Sequence, residues 1–131
     1  MAHQLRYDHT SISVGDLDEA IVFYRDLIGM TEIPRPAFES PGAWFDAGGV
    51  PVHLTTGGHF RGPDIALRPN DPHLALQFDG DLDAFLDDCR SRGIKVTELR
   101  NSPAAFRQTF VHDPWGNTIE LCINFSEEHP S

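Results

Sequence analysis

Four side chains with metal-binding donor atoms occur at matched places in the two halves of this chain. They are His9, His53, His73 and Glu120. Each is predicted to lie on a β-strand, on the face opposite the aliphatic residues of that strand. Imidazole nitrogens and a carboxylate suit Zn²⁺, Ni²⁺, Co²⁺, Fe²⁺ or Mn²⁺. We therefore expect the four residues to bind one divalent metal ion, with positions left for water or for two adjacent substrate oxygens.

Each of these residues has a more ordinary interpretation when it is taken alone, since a single histidine is more often packed or solvated than bound to a metal. A carboxylate in the middle of a strand is costly unless it has a partner, so Glu120 needs one. His53 is either a ligand or an acid–base group that titrates near neutral pH. Glu120 and His53 are the candidate catalytic residues. His112, beside the turn, is a candidate contact either to the substrate or to a metal ligand.

The elements that must position these side chains occur twice. Segments 46–54 and 113–121 both run from an aspartate through a glycine-containing turn into a strand that carries His53 or Glu120. Two other matched segments begin with a strand histidine, His9 or His73, and continue to a Gly-Asp-Leu-Asp helix start. The chain is therefore predicted to have an α+β fold made of two β-α-β-β-β copies, whose mixed sheet curves into a cup.

The length of 131 residues suits a single domain, residues 1–131, built from two modules. The first module is predicted at 5–56 and the second at 72–125. Between them, 57–71 is rich in glycine and proline and is expected to be a linker or a lid over the site.

Within the modules, a first strand is predicted at 5–14, followed by a helix that Asp16 caps and Gly29 ends. Near the end of the chain, pairing of the last two strands predicts that Phe110 lies opposite Glu120. Apolar walls for the cup are expected from three aromatic residues, Trp44, Phe45 and Phe110. The acidic tail 126–131 is expected to be frayed.

Composition restricts the partners of this protein. The formal net charge is −10 and Lys95 is the single lysine, which argues against binding to nucleic acid or to an anionic membrane. No apolar run approaches the roughly 20 residues of a membrane span, and the first residues lack the apolar core of a signal peptide. Cys89 and Cys122 form no metal-binding motif and are expected to be reduced thiols in the cytoplasm.

The motifs together resemble the vicinal oxygen chelate superfamily, which includes glyoxalase I, bleomycin-resistance proteins and extradiol dioxygenases. The resemblance rests on segments 8–14, 16–20, 23–24, 27–30, 73–78 and 113–121. It implies paired βαβββ modules, a metal in the cup at His9, His73 and Glu120, a homodimer, and small substrates that chelate through two vicinal oxygens. This chain departs from the superfamily pattern at His53, where related proteins usually carry Glu or Gln.

Three functions are compatible with this resemblance. The first is a glyoxalase-like, metal-dependent isomerase or lyase. The second is an Fe²⁺ extradiol-type dioxygenase that uses His9, His73 and Glu120, in which a histidine at position 53 would occupy a position needed by substrate or oxygen. The third is a non-enzymatic drug-binding protein of the bleomycin-resistance type, and the presence of all four donor residues counts against it.

Overall fold

The computed structural model of the chain describes residues 2–126, so most of the acidic tail, 127–131, lies outside the described residues. The described residues form two compact units, one that ends at His59 and one that begins at Phe60. Each unit follows the order β-α-β-β-β and contains one four-stranded mixed sheet. The predicted α+β fold with two such copies is confirmed.

The first unit places its helix on the apolar face of its sheet. Its elements are β1 (Thr10–Ser13), α1 (Leu17–Ile21) followed by a π-helical segment (Val22–Ile28), β2 (Thr31–Ile33), β3 (Gly42–Ala47) and β4 (Val50–Thr55). The strand order is β1-β4-β3-β2, with β1 parallel to β4 and the other pairs antiparallel. Alternation along each strand leaves the second face free to carry polar and aromatic side chains.

The predicted start and end of the first helix are confirmed. The Asp16 Oδ1 atom accepts a hydrogen bond from the Glu19 backbone N–H at 2.8 Å, which satisfies one of the open donors of the first turn. Gly29 ends the helix with a φ of 94°, a left-handed conformation that favours glycine.

The first strand is shorter than the predicted range of 5–14. β1 begins only at Thr10, whose partner is Val52 in the parallel pair with β4. Continuation of this register would place His9 opposite Pro51, which has no backbone N–H to donate. His9 therefore lies directly before the strand rather than within it.

The second unit has the same plan and carries Glu120 on a central strand. Its elements are β5 (His73–Gln77), α2 (Leu82–Ser91), β6 (Val96–Arg100), β7 (Arg107–His112) and β8 (Thr118–Ile123). The strand order is β5-β8-β7-β6, with β5 parallel to β8. Phe110 pairs with Glu120, so the predicted register of the last two strands is confirmed.

The turn between β7 and β8 is held by Asp113 and supports the segment 60–71. The Asp113 Oδ1 atom accepts hydrogen bonds from the backbone N–H groups of Trp115 at 2.9 Å and Asn117 at 2.8 Å. Gly116 has a φ of 84°, and a Cβ atom there would overlap the Gly62 carbonyl oxygen. Glycine is therefore required both for the turn and for the close approach of the segment 60–71.

Two further features of the described residues bear on the sequence predictions. Both Cys89 and Cys122 are free thiols, as predicted, and burial raises the pKa of Cys89 to about 11. In the range 2–126, no helix combines the length and the apolar character that crossing a membrane would need.

Candidate functional site

The second unit brings His73 and Glu120 together. Because His73 pairs with Thr118 in the parallel ladder, it lies diagonal to Glu120 on the same face. The His73 Nε2 atom is 3.0 Å from Glu120 Oε1, and the glutamate side chain is buried. Gln108 Nε2 donates a longer hydrogen bond of 3.4 Å to the other carboxylate oxygen, Oε2.

The orientation of the His73 ring suits a metal ligand. Its Nδ1 atom is 2.7 Å from the Asp71 carbonyl oxygen, which can only accept, so Nδ1 carries a proton. In a neutral ring, the Nε2 lone pair then points at the Glu120 carboxylate, and two acceptors 3.0 Å apart need a cation between them. A proton on Nε2 or a metal ion satisfies this need. In metal-ligating histidines, the ring nitrogen that does not bind the metal typically donates to a carbonyl or carboxylate oxygen, as Nδ1 of His73 does here.

His9 in the first unit is oriented in a similar way. Its Nδ1 atom is 2.6 Å from Oδ2 of Asp8, the preceding residue. The carboxylate accepts a hydrogen bond from Nδ1–H, so Nε2 is the ring atom that can ligate a metal ion when it carries no proton. Asp8 was not identified from the sequence as a site residue, although its position directly before His9 was a usable signal.

His53 is stacked between two aromatic rings of the first unit. The Trp44 indole lies with its ring centroid 4.0 Å away at an interplanar angle of 2°, and the His9 imidazole lies at 4.1 Å and 19°. Burial lowers the pKa of His53, and the positive potential of His9 and Arg35 lowers it further. His53 is therefore a neutral imidazole at neutral pH, which is the form that binds a metal or accepts a proton.

Two of the three expected wall residues lie on the faces that carry the candidate ligands. Trp44 pairs with His53, and the buried Phe110 ring meets the His73 ring edge-on at 5.4 Å. The prediction for Phe45 is wrong, because this residue pairs with Val52 and is 0% exposed on the opposite, core-facing side of its sheet. Successive residues of a strand point to opposite faces, so Trp44 and Phe45 do not share one wall.

The structure thus pairs His9 with His53 in the first unit and His73 with Glu120 in the second. Among residues 2–126, no three or more His, Cys, Asp or Glu side chains come together in a group that could hold a metal ion. The binding of one ion by all four residues therefore stays a prediction.

His112 is a further polar residue on the Glu120 face. It pairs with Thr118 across the last hairpin and is 5% exposed. Neither ring nitrogen of His112 nor the Thr118 hydroxyl has a hydrogen-bond partner within the described part of the chain. Burial lowers the pKa of His112, and the nearby cations Lys95 and Arg61 lower it further.

The lowered pKa of His112 predicts a pH dependence of stability. As pH falls through about 6.5, the unfolded chain binds a proton at this residue before the folded protein does. The contribution of His112 is therefore fully present above about pH 6.5 and is lost below it. We expect His112→Gln to reduce the fall in unfolding free energy between about pH 7.5 and pH 5, measured by urea unfolding of the metal-free protein.

The matched control for this experiment is His59→Gln, because His59 is exposed. This variant is expected to keep the wild-type pH dependence. Equal slopes for wild type and His112→Gln would show that His112 is accessible to protons in the folded state.

Comparisons with a family model and with known proteins point to the same superfamily. The model of the Glyoxalase/Bleomycin resistance protein/Dioxygenase superfamily matches residues 6–121. The chain is 27% identical over 138 residues to Glyoxylase I 4 of Arabidopsis thaliana, with 92% of this chain and 71% of the relative covered. It is 31% identical over 131 residues to a probable lactoylglutathione lyase of Synechocystis sp., with 92% and 96% covered.

Solved structures show the same fold. A glyoxalase family protein from Bacillus anthracis is 29% identical, with a TM-score of 0.72 and coverage of 95% of this chain and 99% of that one. A mutant of the fosfomycin resistance protein FosX from Listeria monocytogenes, in complex with Mn(II) and 1S,2S-dihydroxypropylphosphonic acid, has a TM-score of 0.72 at 18% identity, with 98% and 97% covered. The second likeness concerns the fold alone. From the match over residues 6–121 and the 31% identical relative, the chain belongs to the glyoxalase/bleomycin resistance protein/dioxygenase superfamily.

Proposed function

We propose that this protein is a metal-dependent lyase or isomerase of the glyoxalase type, which acts on a small substrate with two vicinal oxygens. The observation that carries the proposal is the 3.0 Å contact between His73 Nε2 and Glu120 Oε1, which holds an imidazole nitrogen and a carboxylate oxygen together on one sheet face. The relatives named Glyoxylase I 4 and probable lactoylglutathione lyase support the reaction type.

The proposed metal ligands are His9, His53, His73 and Glu120, and their chemistry fits Zn²⁺, Ni²⁺, Co²⁺, Fe²⁺ or Mn²⁺. The Nδ1 atoms of His9 and His73 form hydrogen bonds to oxygen atoms at 2.6 Å and 2.7 Å. Nε2 is therefore the nitrogen of each ring that would bind a metal. When bound, such an ion supplies Lewis-acid polarisation of a carbonyl or enediolate oxygen. The Mn(II) in the FosX complex supports a metal-binding role for this fold.

The side chains of the chain itself would orient the substrate and move a proton between two adjacent carbons. A carboxylate or a neutral imidazole can take the proton from one carbon and return it to the next, and Glu120 and His53 are the two candidates. Phe110 and Trp44 provide apolar surface beside His73 and His53, against which an apolar part of the substrate can pack.

Two variants separate the roles proposed for His53. His53→Phe keeps an aromatic ring between Trp44 and His9 and removes the donor nitrogen, whereas His53→Gln keeps a donor atom and removes the titrating group. If His53 is a metal ligand, His53→Phe weakens metal binding. If it carries the proton, both variants keep metal binding but lower kcat and alter its pH profile.

The function is tested with metal-free protein that is reloaded separately with Ni²⁺, Co²⁺ and Zn²⁺. Turnover of a 2-oxoaldehyde–thiol adduct is measured for each form, with catechol-dependent oxygen uptake of the Fe²⁺ form as the comparison reaction. We expect metal-dependent turnover of the adduct. Inactivity with every metal, or oxygen uptake with Fe²⁺ in its place, would contradict the glyoxalase-type assignment.

The proposal includes a homodimer, and complementation tests how its donor residues are shared. Neither His9→Ala nor Glu120→Ala is expected to bind the metal alone. If one ion takes ligands from two chains, a mixed dimer of the variants contains one intact site, and mixing restores metal binding. If all ligands come from one chain, mixing restores none.

A further inference from the structure

We propose that His112 and Thr118 form a buried subsite that binds a carboxylate group of the substrate, on the same sheet face as Glu120. The inference rests on the proposed function only for the position of the chelating end of the substrate. Both residues lie in the second unit, at the end of the hairpin formed by β7 and β8.

Two adjacent buried residues of this hairpin, His112 and Thr118, carry polar atoms without hydrogen bonds to any described residue. His112 is 5% exposed and Thr118 is 3% exposed. The His112 Nδ1 and Nε2 atoms and the Thr118 Oγ1 atom have no partner among residues 2–126. Buried polar groups are almost always hydrogen-bonded, because an unpaired group loses its hydration without compensation. Three such atoms on two residues that are cross-strand neighbours therefore indicate a place that a ligand group completes.

The pair lies on the same sheet face as the proposed metal ligands His73 and Glu120. Thr118 pairs with His112 on one side and with His73 on the other, so the three residues form one row across adjacent strands. With strands about 4.8 Å apart and about 3.3 Å between successive residues, the two residues of the subsite lie roughly 5–10 Å from His73 and Glu120. The predicted substrate therefore carries its carboxylate several bonds away from its two vicinal oxygens.

The hydrogen-bond donors of His112 and Thr118 match the two oxygen atoms of a carboxylate. A neutral His112 ring has one N–H and Thr118 has one O–H, so the pair offers one donor to each oxygen of a carboxylate. The remaining ring nitrogen is an acceptor that a buried water can satisfy.

The charges around His112 also favour the binding of an anionic group. Lys95 and Arg61 act on the ring more strongly than the nearby carboxylates of Asp113 and Asp71, so the local potential is positive.

The segment 60–71 provides a route of access. Its contacts with the rest of the second unit include the Phe60 ring edge-on to Trp115 at 6.5 Å and hydrogen bonds from Lys95 Nζ to the carbonyl oxygens of Pro63 at 3.2 Å and Ile65 at 2.7 Å. The Gly62 N–H also donates to the Trp115 carbonyl at 2.8 Å. Contacts of this kind break at low cost, which allows the segment to open for a ligand and close over it.

Nuclear magnetic resonance of the imidazole nitrogens tests the subsite directly. Metal-free protein is titrated with propanoate and, as a neutral control of the same shape, with propanamide, and the His112 signals are assigned by comparison with His112→Gln. We expect saturable shifts of the His112 signals with propanoate in the range of about 1–100 mM and at least about 10-fold weaker binding by Thr118→Val. No saturation, equal shifts with propanamide, or unchanged binding by the variant overturns the proposal.

A pair of threonine variants provides a second test through stability. Thr109 is equally buried on the neighbouring strand, but its hydroxyl donates to the Leu121 carbonyl oxygen at 2.6 Å. Without ligand, Thr118→Val is expected to keep or raise the urea midpoint of unfolding, because it removes an unpaired hydroxyl, whereas Thr109→Val lowers the midpoint. Equal loss of stability in both variants shows that the Thr118 hydroxyl has an internal partner, and this overturns the proposal.

Failure of the proposed subsite is distinguishable from failure of the proposed function, because propanoate binding is measured on the metal-free protein. Metal binding by the wild-type protein is measured separately. Retained metal binding without propanoate binding overturns the subsite alone.

Discussion

Replacement of Glu120 by glutamine is expected to lower the affinity for a divalent metal ion by about 100-fold or more, and kcat/KM with it. Loss of a group that merely supports a ligand typically costs 10–100-fold in affinity, so loss of the only proposed carboxylate ligand should cost at least the upper value. The change is nearly isosteric and removes the negative charge that attracts the metal cation. Titration with Co²⁺, followed by its absorption spectrum, measures the affinity.

The same variant is expected to leave the metal-free protein as stable as the wild type, or more stable by about 0.5–1.5 kcal/mol. When Nε2 of His73 carries no proton, a glutamine amide can donate to it, and a hydrogen bond then replaces the 3.0 Å contact with the carboxylate. Gain of stability with loss of metal binding is typical of a functional group held in an unfavourable environment.

Glu98→Gln is the matched control for Glu120→Gln, because it makes the same chemical change in the same sheet. Glu98 accepts a hydrogen bond from Arg107 Nε at 2.7 Å and lies on the opposite face. We expect this variant to lose stability and keep metal affinity. Unchanged metal affinity in Glu120→Gln would remove Glu120 from the ligand set.

Replacement of Phe110 by alanine is expected to destabilise the protein by about 3–5 kcal/mol. The side chain is 1% exposed, so its removal leaves a cavity at the centre of the sheet face that carries Glu120. The ring also restrains His73 through its edge-on contact, so metal affinity is expected to fall by about 10-fold. Urea unfolding and Co²⁺ titration measure the two effects.

Leu86→Ala provides the control for Phe110→Ala, because Leu86 is equally buried but lies on the helix of the second unit. A loss of about 2–5 kcal/mol in stability without a specific loss of metal affinity is expected. If both variants lower metal affinity equally, the effect reports general destabilisation, and Phe110 has no part in positioning His73.

Features that repeat or follow from local rules were predictable from the sequence. The two copies were visible because their aspartates, glycines and strand patterns recur, and helix capping by Asp16 follows from side-chain chemistry that acts within one turn. The pairing of Phe110 with Glu120 followed from the short turn, since its length fixes the register of the hairpin.

Features that depend on tertiary contacts were not predictable. The late start of β1 follows from the position of Pro51 in a different strand, and the sequence around His9 carries no sign of it. The contact from His73 to the Asp71 carbonyl uses a backbone atom that every residue has. The stacking of His53 on Trp44 required the register of β3 and β4, so the sequence indicated an aromatic wall but misplaced Phe45.

The central claim is that His9, His53, His73 and Glu120 bind one divalent metal ion. The most direct measurement is X-ray absorption of Co²⁺-loaded protein, combined with elemental analysis and with the variants His9→Ala and His73→Ala. The account predicts about one ion per chain with several imidazole nitrogens in its shell, and loss of the ion in both variants. Less than about 0.2 ion per chain, or an ion that both variants retain, would contradict it.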